Sequence, residues 1–222
     1  MHQYAQTNIQ LFNQVQDLGY SPDDCLLVAR AYRLAMELFA GLYRASGKTF
    51  IAHVVGTASI LAAERAEAPV ISAGLVHAAY LVRRRDGWLA TRARVLNAVG
   101  TDVERNVSRY GALRWTAESI PDVALKIEGM DAQGRRTLLL RLANELDEYL
   151  DGGASYSGDG KRAALLRHGV DRSLVAMARC LGALGLARSF EDVFARIAKT
   201  APPPPELRFH HDRAFALGES PD

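Results

Sequence analysis

An all-α fold, a bundle of roughly eight to ten helices, is what this chain predicts. Apolar residues recur at helical spacing almost throughout, and no run alternates with the period of two that marks a half-buried strand. Ser21-Pro22-Asp23-Asp24 adds a clear start signal, with a cap, a proline in the first turn and two acids against the positive helix end.

The first helix is expected over Ile9–Gln16, stopped by Gly19. The second starts at Pro22 and should reach about Tyr43, where Ser46-Gly47 breaks it. A third is expected from Ala52 to Ala66. Pro69 marks the next boundary, and Val70–Val82 reads as a short helix that is apolar all round, which places it at the bundle centre. Arg83–Gly87 is a charged connector. Ala90–Val99 and Thr101–Tyr110 follow as two amphipathic segments parted by Gly100. Pro121 and Gly129 bracket an undetermined piece, after which a long helix should run from Ala132 to Leu150. Gly152–Gly160 is the most glycine-rich loop. Lys161–Leu186 is expected to be helical with a break at Gly169, and Ser189 to cap a last helix with Glu191 and Asp192 in its first turn. Pro202–Pro205 is a stiff spacer and Glu206–Asp222 a tail. Residues 1–200 are therefore expected as one helical domain and 201–222 as proline-rich spacer and tail.

Composition narrows the function classes. Hydrophobic residues make up 49% of the 222-residue chain, enough for a sizeable core. The net charge of +2 gives no field for nucleic acid or an anionic membrane, so neither is expected as partner. Cys25 and Cys180 sit far apart in apolar helical patterns and are expected as reduced core residues of a cytoplasmic protein. The start of the chain lacks a basic stretch followed by an apolar run, and no uncharged segment is long enough to span a bilayer. Phosphate loops, dinucleotide-binding glycine patterns, nucleophile elbows, HExxH and CxxC are absent.

Three stretches carry a resemblance. Arg44–Ala62 (RASGKTFIAHVVGTASILA) is similar to the RxSGxxxxxHP entry of the RelA/SpoT-type HD domain, which hydrolyses (p)ppGpp. Ile71–Tyr80 (ISAGLVHAAY) resembles that family's apolar run ending in His-Asp, and Arg141–Leu150 (RLANELDEYL) its KLADRLHNMR helix. The family holds one metal, typically manganese, through two histidines, an Asp adjacent to the second and a distant Asp. By this resemblance the positions are Phe39, in the stretch matching AHxGQxR, then His53 before the family's proline, the pair His77-Ala78, and Asn144. Phe39 and Ala78 have no donor atom and Asn144 only a neutral one. No resident metal or other cofactor is therefore expected, and (p)ppGpp hydrolysis with it is not. Leu81 and Val82 stand where the family carries a Glu-Asp pair, and Asp147-Glu148 where it carries His-Asn.

The resemblance implies a surviving pocket. Arg44, Ser46 and Lys48 come from the loop that covers the nucleotide in the family, and His53 and His77 should face one cavity, with Tyr80 and Asn144 beside them. Arg83, Arg84 and Arg85 would then bring anion-binding forks to its mouth. The expected function is a metal-free, catalytically degenerate HD-domain protein that binds a small anionic, nucleotide-like or phosphorylated ligand, with a homodimer allowed. Two alternatives stand beside it: an enzyme using His53 or His77 for metal-independent acid–base chemistry, and an interaction scaffold. The bland readings are a packed core His77, a solvated Arg83–Arg85 run, and packing roles for Trp88 and Trp115. His168, His210 and His211 show no ligand pattern.

Overall fold

The computed structural model describes residues 4–81, 87–156, 170–201, 203–208 and 215–216. Their architecture is an all-α multi-helix bundle. In chain order the helices are α1 (Asn8–Asp17), α2 (Pro22–Phe39), α3 (Phe50–Ala63), α4 (Ala68–Val76), α5 (Gly87–Ala112), α6 (Ser119–Leu125), α7 (Ala132–Leu150), the short α8 (Gly153–Tyr156), α9 (Val170–Cys180) and α10 (Leu184–Ile197). Two short strands, β1 (Leu42–Tyr43) and β2 (Phe215–Ala216), pair antiparallel.

Local chemistry sets several of the starts. Thr7 and Ser21 each form a complete capping box, with Gln10 and Asp24 reaching back to the cap backbone. Thr49 and Asp131 cap α3 and α7 through their side-chain oxygens. α3 and α4 are buried on nearly every face and form the centre, with α2 and α4 packed together and α3 lying between α4 and α7. This is the central position that the all-apolar Val70–Val82 pattern predicts, although the helix is shorter. It starts at Ala68 and ends at Val76, and His77 is its C-cap. Gly100 interrupts α5 where the sequence places the break.

Other boundaries move. α2 stops at Phe39, four residues early, because the chain turns at Ala40-Gly41 and leaves Leu42–Tyr43 extended. The break after α9 lies at Gly182, which adopts a left-handed φ of 79° that only glycine takes without strain. Ser189 does not cap a helix. It lies inside α10, buried, with its hydroxyl paired to that of Tyr4 at 2.8 Å. Cys25 is only half-buried and Cys180 is exposed, so neither is a core residue. Within the expected tail, Phe215–Ala216 pairs with β1 as β2. Arg83–Arg85, His168, Gly169, His210 and His211 lie outside the described residues, as do the Ser157–Gly160 part of the expected loop and most of the tail.

Ala183, at the start of α10, has no side chain that caps. Glu64, at the C-terminus of α3, supplies the acceptor instead, taking the backbone N–H groups of Gly185 and Leu186. This contact joins the last helix to the core helix. Glu64→Ala is expected to cost about 1–2 kcal/mol, the range for losing a helix cap. It should appear as a lower urea midpoint at unchanged slope.

Candidate functional site

The site is built where α3 crosses α7. On α7, Asn144, Asp147, Glu148 and Asp151 fall at the three- and four-residue spacing that puts side chains on one helical face. On α3 the facing residues are His53 and, one turn later, Gly56. A Cβ at Gly56 would overlap the Asp147 carboxylate, lying 2.9 Å from Cγ and closer still to Oδ1. Glycine there is what lets an acidic side chain lie against α3.

Asp147 is the hub. Its Oδ2 accepts from His53 Nδ1 at 2.7 Å, and Lys48 Nζ donates to Oδ1 at 3.0 Å and to Asp151 Oδ2 at 2.9 Å. Arg44 pairs with Glu148, whose carboxylate lies 3.8 Å from His53 Nδ1. On the other side of the imidazole, Nε2 is 3.1 Å from the Asn144 amide. Burial, aided by the Arg44 charge and opposed by the hydrogen bond to Asp147, holds the His53 pKa below its ordinary value. The ring is therefore neutral, with its proton on Nδ1 toward Asp147. Nε2 is then an acceptor, which requires the Asn144 amide to turn its NH2 toward it. Burial works against the Lys48 ammonium, but Asp147 and Asp151 outweigh it and raise its pKa.

Behind His53 the packing is aromatic. The His53 and His77 rings meet edge-on at 5.3 Å, and His77 meets Tyr110 at 4.9 Å. Phe50 lies edge-on to His53 at 5.7 Å and stacks on Phe39 at 4.8 Å. His77 Nδ1 donates to the Gly74 carbonyl at 2.8 Å. Burial, and after it the nearby His53, push the His77 pKa well below the usual imidazole range. Arg141 hydrogen-bonds the Tyr110 hydroxyl, covers both the Tyr110 and Trp115 rings, and lies 3.7 Å from Glu145.

The structure thus brings His53, His77, Asn144 and Arg44 together, with Phe39 one ring away. The two histidine rings meet edge-on at 5.3 Å, and His53 is 0% and His77 2% exposed. Tyr80 is elsewhere: its hydroxyl donates to Glu104 of α5 at 3.1 Å, beside Arg92 and the half-exposed Trp88. Arg44 and Lys48 do not present unpaired cations to an anion, since Glu148, Asp147 and Asp151 already neutralise them.

The donor set does not fit a resident metal. Phe39 and Ala78 carry no donor, and both His53 nitrogens are engaged. Among the described residues no group of three His, Cys, Asp or Glu is placed to hold an ion. Outside the closed network lies a surface pocket of about 260 Å3. Ser46, Gly47 and Lys48 form one wall and Asp147, Glu148 and Asp151 another; Gly153 and Tyr156 complete it. Sequence reasoning found Ser46 and Lys48 but not Asp147, Glu148, Asp151 or Tyr156. The readable signal was the i, i+3, i+7 spacing of Asn144, Asp147 and Asp151.

Comparison with known families places one match on the chain: a model described as a domain of unknown function (DUF6817) matches residues 35–114. That span covers the end of α2 through α5, with both histidines, and stops short of α7 and its carboxylates. Among curated proteins no sequence matches this chain. No described helix is long and apolar enough to cross a membrane.

Proposed function

We propose that this chain is a non-hydrolytic protein on a RelA/SpoT-type HD scaffold, whose ancestral metal centre has become a buried ion network. We further propose that it binds a small polar ligand in the pocket above that network. The observation that carries the reading is that His77 and Asn144 both meet His53, whose Nδ1 is taken by Asp147, itself paired with Lys48. Acid–base catalysis is disfavoured by the same geometry. Neither ring nitrogen of His53 is available to a substrate, and both rings are buried.

The pocket's charge decides the ligand class. Three carboxylates line it against one ammonium, and that ammonium is shared between two of them. A phosphate entering here would meet paired cations and surplus acceptors. A ligand that donates through hydroxyl or amino groups fits better, with the Ser46 hydroxyl as a further partner and the Tyr156 ring as a flat wall. The volume is at the small end for ligand sites, which sets a limit near one sugar or base. The reading therefore departs from the phosphorylated ligand that the family resemblance implies.

Calorimetric titration with monosaccharides, each against its phosphate ester, tests this. Binding of an unphosphorylated member is expected, weakened about tenfold or more by the phosphate and by Asp151→Asn, roughly the cost of one charged hydrogen bond. Tighter binding of the phosphate esters, or one equivalent of metal on the purified protein, would overturn it. A second reading, partner docking, is favoured by Leu81, Trp88 and Leu89, large apolar side chains that are mostly exposed near the Tyr80–Glu104 pair.

A further inference from the structure

The C-terminal segment reaches back to the turn that walls the pocket. β2 lies antiparallel on β1, with Leu42 opposite Ala216 and Tyr43 opposite Phe215. Tyr43 also bridges to Thr49 on its other side. Between Tyr43 and Thr49 the chain makes a tight turn, in which the Arg44 N–H donates to the Lys48 carbonyl and the Gly47 N–H to the Arg44 carbonyl, both at 2.8 Å. β1 is thus the middle line of a three-line patch: the return limb at Thr49 on one side and the tail on the other. A two-residue ribbon has too few hydrogen bonds to hold its shape in water, and a third line is what gives such a patch stability.

We propose that residues 215–216 act as a strap that fixes the Arg44–Lys48 turn, so that release of the tail loosens one wall of the pocket. The turn carries Arg44, which pairs with Glu148, and Ser46 and Lys48, which line the pocket. Side-chain ion pairs also hold it to α7 and Asp151, and the Arg44 guanidinium lies over the Phe50 ring at 5.3 Å. The tail leaves the last helix through a stiff start: Pro205–Leu207 is a 3-10 turn, and Arg208 folds back to donate to the Pro203 carbonyl at 3.1 Å. That start limits where the tail can go and favours return to one edge. An extended peptide competing for the β1 edge would displace the strap by the same backbone pairing. This coupling holds whether or not the pocket takes the ligand class proposed above.

Hydrogen exchange on the 222-residue chain tests it. Phe215→Pro with Ala216→Pro removes the backbone donors of β2 and leaves every pocket residue in place. Amides of residues 42–48 are expected to exchange about tenfold faster or more, with α3 and α4 unchanged, as in a local opening. Phe215→Val with Ala216→Val, which keeps the donors and strand preference, should retain protection. Unchanged exchange at residues 42–48 in the proline variant overturns the strap. Equal acceleration through α3 and α4 also overturns it, because the tail would then be holding the whole fold.

Discussion

Asp147→Ala is expected to lose about 3–5 kcal/mol of folding free energy, the range for removing one partner from a buried charge network. The carboxylate is fully buried, and three groups depend on it: the His53 Nδ1 proton, the Lys48 ammonium and the packing over Gly56. Lys48 keeps Asp151, but His53 is left with a buried N–H and no acceptor. For a chain of this size the loss corresponds to a fall in Tm of about 6–20 °C. Asp147→Asn keeps the shape and one acceptor oxygen, so it should lose less, and the difference measures the charge.

A double-mutant cycle makes the same contact specific. Gly56→Ala alone should be strongly destabilising, because the added methyl meets the carboxylate of Asp147, a short side chain already held by His53 and Lys48. In the Asp147→Ala background that methyl enters vacated space, and alanine recovers about 1 kcal/mol of helix propensity over glycine. The two changes should therefore couple by about 2 kcal/mol or more, well above the few tenths seen for independent sites. Additive losses in urea titrations would mean that the carboxylate does not lie over Gly56.

What could be read from the residues follows how local each cause is. The Ser21-Pro22 start, the Gly100 break and the all-apolar run before His77 depend on interactions within a few residues, and each is found where the spacing puts it, give or take a turn. Ser189 shows the limit of that logic. A serine followed by two acids looks like a cap, yet its partner is the Tyr4 hydroxyl across the molecule, and the cap of that helix comes from Glu64. The site divides in the same way. The meeting of His53, His77 and Asn144 was expected from the resemblance. Asp147 and Glu148 register in sequence only as replacements for other side chains. Their partners, His53, Lys48 and Arg44, are about a hundred positions away, where no spacing rule reaches. Complementary charges make these pairs sensible afterwards; nothing local selects them from the chain's other acids and bases.

Stability should fall steeply as the pH drops below about 6.5, the ordinary value for imidazole in an unfolded chain. Both His53 and His77 have folded-state pKa values below that, His77 by far the more. Well above pH 6.5 neither state binds the proton and the histidines leave stability unchanged. Below it the unfolded chain takes up protons that the folded chain refuses, so unfolding gains about 1.4 kcal/mol per pH unit for each histidine. The loss from each continues until the pH reaches its folded-state value, so His77 goes on contributing after His53 has stopped. The charged groups facing the pair are mixed. Asp147 and Glu148 favour a charged His53, while Arg44 opposes charge on both rings and Arg141 opposes it on His77; burial tips the sum for each. Urea unfolding at pH 7.5, 6.5 and 5.5 should thus show a slope that grows below pH 6.5 as the unfolded imidazoles become protonated, toward at most two protons. His77→Gln, which keeps a donor for the Gly74 carbonyl without a titrating ring, should lower that limit to one proton. A flat profile through this range would mean that the two rings take up protons as readily in the folded chain as in the unfolded one, contrary to their burial.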